Sequence, residues 1–437
     1  MNHESPATKI FVDRVNAFWL QEYKFDGFRF DFTKGMTNTP GDGSAYDPAR
    51  IAILKRMADQ IWAVDPGAYV ILEHFAENRE EIELSDYGML LWGNTNFNYN
   101  EATMGYHSNG KSDFSWGYYG TRGWNQPNLV TYMESHDEER LMVKNLSFGN
   151  SNSDYSVKDL ATALDRIKLA ATFFLTLPGP KMIWQFGELG YDVSIDNPCR
   201  VCEKPIRWQY FADATRNKLY RTYQALLKLR RENEVFRSRD TQVDLLLNRG
   251  DGGKRIRLSH KSMNASIIGN FGVTVLSVSP NFIHRGLWFE YFSGDTLDVL
   301  DPAATIALAP GEFRIYTDKK LERPDPDIIT AIDDFNASVP ISYTLQQNYP
   351  NPFNPETAIR FQLPENSIVE LKIFNSIGQM VQTLIKKAPK PAGSYTANWD
   401  GRNDTGQPAP SGLYFYRLTA HSGSRTFTRT KKMLLLR

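Results

Sequence analysis

The chain has 437 residues, with 50 Lys and Arg balancing 50 Asp and Glu, and a composition that is 41% hydrophobic and 13% aromatic. That length exceeds one ordinary domain and predicts two or three. Zero net charge leaves no basic footprint for nucleic acid and no polybasic membrane anchor, and no apolar run approaches the roughly 18–20 residues of a spanning helix.

The first residues, MNHESPATK, are polar and lack the apolar core of a secretory signal. Residues 7–240 then alternate short apolar strands with amphipathic helices, the pattern of a parallel α/β fold. Ile10, Val15, Phe18 and Trp19 fall on one stripe of a first helix. A strand is predicted at 25–32, then a helix over 48–64 with Ile51, Leu54, Met57, Ala58 and Ile61 at helical spacing and Pro48 in its first turn. Further strands fall at 69–72, 88–92, 129–133 and 181–185, and long helices at 158–177 and 215–232. The two cysteines, Cys199 and Cys202, stand in a loop punctuated by Pro and Gly. A zinc site needs about four ligands and nothing nearby completes one, so the plain reading is a loop pair that a disulfide can close.

From 241 to 318 the pattern changes to period-two strands and turns (RIRLSH, ASIIGNFG, TVLSVS, FRIYTD), which predicts a separate small β-sandwich. Residues 319–340 are charged and contain Pro, as a linker does. A second β-rich unit follows at 341–437, with strand-like VELKIFN, YTANWD, LYFYRLTA and TFTRTKKMLLL between turn residues.

Three carboxylates stand at the ends of predicted strands. In DGFRFDF, alternation puts Arg29 and Asp31 on one side of the strand, at the C-terminal end where parallel barrels carry their active sites. Arginine beside a carboxylate keeps it ionised, as a carboxylate nucleophile must be; a plain salt-bridged pair is the default for the triplet alone. In YVILEHF, four apolar residues lead to Glu73, 42 residues past Asp31, where desolvation should raise the carboxyl toward a general acid. A buried Glu paired with a neighbouring Arg is the alternative. In VTYMESHDEER a strand ends at His136-Asp137, 64 residues past Glu73. Asp137 is preferred over Glu134, Glu138 and Glu139 because His136 flanks it. The aromatic residues Trp92, Phe97, Tyr99, Trp116, Tyr118, Tyr119 and Trp124 near the tips read as loop-core packing, and Arg207-Trp208 follow the last strand.

DGFRFD, LEHF and ESHD, in this order and spacing, resemble the strand-end regions of the α-amylase family, and the resemblance extends over residues 1–318. It implies an α/β fold: strands four to eight of a (β/α)8 barrel over 1–240, followed by the family's small β-sandwich C-domain. It further implies retaining hydrolysis of α-glucosidic bonds in starch-like α-glucans or maltooligosaccharides. Asp31 would be the nucleophile, Glu73 the acid/base and Asp137 the stabiliser. Arg29, Lys34 and His136 would bind or position substrate. Transglycosylation or branching within the same family is an alternative, as is a catalytically inactive fragment. Calcium accompanies many members, but Gly35 stands where many carry a histidine whose carbonyl serves that ion, and part of the usual site is missing. A closed barrel takes eight strands and five are predicted, so a longer gene product preceding Met1 is expected.

The segment 341–437, with QNYPNPFNPET, WDGRNDTGQPAPSGLYFYRL and a terminal KKMLLLR, resembles the sorting domain of the type IX (Por) secretion system of Bacteroidetes-like bacteria. That resemblance implies an immunoglobulin-like β-sandwich, the type IX secretion machinery as partner, and an extracellular or cell-surface destination.

Overall fold

The computed structural model describes residues 1–437 except 326–327, 329–342, 349, 424 and 437. Its described residues form two compact units, one over 1–274, 278–304 and 310–329, the other over 275–277, 305–309 and 330–437.

The first unit opens with helix α1 (Pro6–Glu22) and a parallel sheet of β1 (Gly27–Phe30), β2 (Tyr69–Leu72), β3 (Leu90–Asn94), β4 (Leu129–Tyr132) and β5 (Lys181–Met182), paired in chain order. All five predicted strands are present. The third begins two residues later than expected, because Gly88 adopts φ 116° and ends the preceding helix α3 (Asn78–Tyr87) through hydrogen bonds to the Leu84 and Ser85 carbonyls. Gly27 is required at the start of β1. It sits at φ 153°, and a β-carbon there would lie 2.3 Å from the Tyr69 carbonyl oxygen.

Helix α2 (Pro48–Val64) forms as predicted: Asp47 caps it by accepting from the amides of Ala49 and Arg50, and Pro48 starts it. Its buried face, Ile51, Leu54, Met57, Ala58 and Ile61, packs with Leu84 of α3 on Val70, Leu72, Leu91 and Leu129. Each fully buried Leu or Ile there contributes about 1.5–3 kcal/mol. The opposite sheet face carries Trp92, Val130 and Tyr132, with Ile71, Leu90 and Met182 against them. β1 and β5 are the sheet's edges, so among the described residues the barrel is open. The apolar stripe expected of α1 accordingly faces outward: Ile10, Phe18 and Trp19 are exposed and Asn16 and Leu20 are the residues buried.

Helices α4 (Asn96–Met104), α5 (Leu141–Phe148), α6 (Leu160–Thr176) and α7 (Ala214–Glu232) complete this half-barrel. Asp213 caps α7 through the amides of Thr215 and Arg216. Eight further strands follow: β6 (Gln242–Leu246), β7 (Gly253–His260), β8 (Met263–Asn270), β9 (Leu276–Val278), β10 (Gly286–Glu290), β11 (Thr296–Val299), β12 (Ile306–Leu308) and β13 (Phe313–Thr317). Six make one antiparallel sheet in the order β11-β10-β13-β8-β7-β6, and β9 pairs with β12. The six-stranded sheet is not a separate body. Ile256, Leu258 and Ile267 share one core with Leu169 and Phe173 of α6 and Leu226 of α7. Beyond it, Glu322 and Asp325 pair with Lys228 and Arg221 of α7, and Ile328 is buried, so this part of the expected linker is docked. The remainder of the linker, 326–327 and 329–340, lies outside the described residues.

In the second unit, β14 (Thr344–Leu345), β15 (Thr357–Leu363) and β18 (Gly393–Trp399) form one sheet; β16 (Ser367–Asn375), β17 (Met380–Lys390), β19 (Gly412–Ser422) and β20 (Arg425–Leu435) form the other. The sheets enclose a core of Ile359, Phe361, Val369, Leu371, Trp399 and Tyr416, an antiparallel β-sandwich.

Candidate active site

The strand tips of β1, β2 and β4 bring the three predicted carboxylates to the C-terminal edge of the open barrel. Arg29, near the end of β1, reaches two of them. Its Nη1 donates to Asp31 Oδ1 at 2.6 Å, and its Nη2 stands 3.0 Å from Glu73 Oε2, an ion pair without the alignment of a hydrogen bond. The guanidinium lies 4.1 Å from the centroid of Trp92, at the inner face of β3.

The two carboxyls differ in environment. Asp31 is 74% exposed, and the hydrogen bond from Arg29 holds its carboxyl below the usual range. Glu73 is 14% exposed, and burial pushes its carboxyl up against the lowering effects of the Phe32 N–H and Arg29, with the Asp31 charge adding to the rise. Phe32 takes a left-handed conformation at φ 46°, which aims its N–H at Glu73 Oε2 at 3.0 Å. Such a conformation in a bulky residue costs about 1–3 kcal/mol and is held by its surroundings. The surroundings here are a buried scaffold. Thr33 donates from both N–H and Oγ1 to the Glu73 carbonyl, and Oγ1 also meets His74 Nδ1 at 2.9 Å. His74 Nε2 lies 2.9 Å from Glu80, which pairs with Arg50 at 2.7 Å, and Arg50 donates to the carbonyl of Lys34.

Asp137 is 57% exposed and lies 3.3 Å from His136 Nε2. The His136 ring sits between Trp92 and Trp184, with centroids 6.1 and 5.7 Å away. A continuous run of contacts therefore joins Asp31, Arg29, Trp92, His136 and Asp137. The neighbouring acids are otherwise engaged. Glu134 is buried and caps α5 through the Leu141 N–H, Glu138 accepts from Asn94 and Ser135, and Glu139 accepts from Ser194 and Ile195. Lys34, in the turn after β1, extends over the Phe32 ring at 5.7 Å.

Of the aromatic residues near the tips, Tyr99, Tyr119 and Trp124 are core, while Phe97 and Trp116 are exposed. Trp92 is buried yet carries Arg29 on its face, so it belongs to the site's floor. Trp184 was not singled out by sequence; it lies just past β5, and its place against His136 depends on two strands meeting. Trp208 is 73% exposed and packs edge-on against Phe186. Cys199 and Cys202 form a disulfide. A groove of about 870 Å³, lined by Ile183, Trp184, Tyr220 and Leu227, runs along the open β5 edge beside α7, and none of the three carboxylates lines it. Among the described residues no group of three or more His, Cys, Asp or Glu is placed to hold a metal, so the side chains present do not form a carboxylate cage for calcium. No described helix is long and apolar enough to cross a membrane.

Residues 1–213 match the family described as alpha amylase, catalytic domain, and residues 349–424 match the FlgD Ig-like domain family. Alpha-amylase 3 of Dictyoglomus thermophilum is 24% identical over 230 residues, covering 51% of this chain and 40% of that protein. A 1,4-α-glucan branching enzyme of Geobacillus stearothermophilus is 21% identical over 209 residues, 42% of this chain and 29% of the enzyme. The chain thus spans less than half the length of these curated relatives. Among solved structures, the α-amylase of Geobacillus thermoleovorans complexed with acarbose superposes with a TM-score of 0.54 at 14% identity, over 72% of this chain and 65% of that one, a likeness of fold. The family match thus lies in residues 1–213, and the superposition adds a likeness of fold.

Proposed function

We propose that this α-amylase-type domain hydrolyses α-glucosidic bonds of starch-like glucans with retention, using Asp31 as nucleophile and Glu73 as acid/base. One observation carries the reading: a single guanidinium, Arg29, touches both carboxyls while their surroundings push them apart, Asp31 down and Glu73 up. Pairs separated in this way divide the roles of nucleophile and acid. Ionised and open to solvent, Asp31 attacks the anomeric carbon. Protonated through desolvation, Glu73 gives its proton to the leaving oxygen, then takes one from the water that releases the glycosyl-enzyme. Asp137 and His136 hold hydroxyls of the sugar at the cleavage point, Arg29 orients Asp31, and Lys34 serves the acceptor side. The test is reducing-sugar release from soluble starch by the intact chain. Asp31→Asn should lower it by about 10³-fold or more; unchanged turnover would sink the assignment.

Glucan transfer is the second reading, favoured by the likeness to a branching enzyme. New linkages formed without new reducing ends would select it.

For residues 341–437 we propose a sorting domain read by a type IX secretion machinery, which would bring the protein to the cell surface or beyond. Support comes from the QNYPNPFNPET and KKMLLLR motifs on a self-contained β-sandwich. In a host with that machinery, deletion of 341–437 should retain the protein inside the cell; export of the deletion variant would reject the proposal.

A further inference from the structure

The loop after β5 is stapled to the main chain beside Asp137. Cys199 and Cys202 close a disulfide within it, and Arg200, inside that small ring, donates from Nη2 to the carbonyl oxygen of Asp137. Two residues on, Glu139 receives the same loop: Ser194 Oγ donates to its Oε2 at 2.6 Å and the Ile195 N–H to its Oε1 at 3.1 Å. Lys204 draws the loop together by donating to the carbonyls of Ile195, Asn197 and Cys199. On the other side, the Asp137 N–H is held by Ser135 Oγ at 3.1 Å.

Apolar packing does not account for the ring, since Val201 at its tip is 95% exposed. A long side chain such as Arg200 loses considerable rotamer freedom when it holds one geometry, and a backbone confined by a four-residue ring reduces the further ordering its own main chain needs.

We infer that the Cys199–Cys202 ring is a positioning device: it presents Arg200 to the main chain of Asp137 and thereby fixes the orientation of that carboxylate over the site. The inference rests on the reading of Asp137 as a substrate-contacting residue. Opening the ring needs two electrons and two protons. With a water-soluble phosphine, both sulfurs become thiols and the phosphine takes up water's oxygen as phosphine oxide.

Amide hydrogen exchange on the intact chain tests the coupling without requiring turnover. Protection over 135–140 should fall by about tenfold on phosphine treatment, in the Cys199→Ser/Cys202→Ser double variant and in Arg200→Ala, while β4 amides stay protected. Arg200→Lys should restore part of it. In hydrolysis of maltooligosaccharide the same changes should raise KM several-fold more than they lower kcat. Unchanged protection after the disulfide is opened overturns the inference whatever the activity. Lost protection in a chain whose Asp31→Asn variant turns over like its parent would sustain the coupling and reject the reading of the carboxylates.

Discussion

Arg29 Nη1 lies 2.6 Å from Asp31 Oδ1, and the same guanidinium stands 3.0 Å from Glu73, so one cation acts on two carboxyls on neighbouring strands, lowering Asp31 and opposing the rise that burial imposes on Glu73. The consequences of removing it have a definite sign.

Arg29→Ala takes away the group that lowers Asp31 and one of the groups that oppose the rise of Glu73. Both carboxyls move up. The acid limb of the pH–rate profile, set by Asp31 ionising, and the basic limb, set by Glu73 losing its proton, should both shift to higher pH. Loss of a charge-placing group in the site should cost about 10²-fold in kcat/KM. A profile that only drops in height, with its limbs unmoved, contradicts the shared role.

Glu73→Gln removes the proton donor and leaves the Phe32 N–H its acceptor oxygen. The basic limb should disappear and turnover fall by about 10²–10⁴-fold. Retention of a basic limb at the parent's position would assign it to another group.

The scaffold behind Glu73 should prove expensive to disturb. Glu80 is buried; burial opposes its charge, yet hydrogen bonds from His74, Arg50 and the Asp47 N–H outweigh that and bring its carboxyl to about 2. A carboxyl depressed on folding stabilises fully above its ordinary value near 4.5, and the contribution fades as pH falls toward about 2. Glu80→Gln leaves Arg50 buried without its counter-charge, at a cost of about 3–5 kcal/mol at pH 7. Urea unfolding at pH 7 and again below pH 4 should show the gap between parent and variant narrowing in acid. A gap of constant size would remove ionised Glu80 as its source.

Trp399 is fully buried in the core of the second unit, and its Nε1 donates to the Arg402 carbonyl at 2.7 Å. Trp399→Ala should destabilise that sandwich by about 3–5 kcal/mol. Calorimetry should show one transition lowered and a second, belonging to the first unit, in place. Loss of both together would mean that the two units unfold as one.

Much of this was legible in the chain itself. The five strands of the half-barrel follow from short apolar runs, and α2 from its 3.6-residue stripe together with Pro48 and the Asp47 cap. Strands β14 and β17 are not legible in it: β14 is two residues long, and β17 carries Lys386, Lys387 and Pro389, which blur a period-two pattern. That the α1 stripe faces outward is not legible either, because periodicity says which residues share a stripe and says nothing of whether another surface covers it.

The sequence by itself determined that Asp31 and Glu73 directly follow strands and that Asp137 stands in the loop beyond a third, though β4 ends at Tyr132 and not at His136-Asp137 as expected, because strand periodicity and the order of DGFRFD, LEHF and ESHD are local properties of the chain. Only the tertiary structure decided how they differ. That Asp31 is open and Glu73 shielded, that one guanidinium spans both, and that a disulfide ring far along the chain grips the carbonyl of Asp137 all depend on contacts between residues 41 to 63 positions apart. Desolvation and charge act through space, and no local pattern records them.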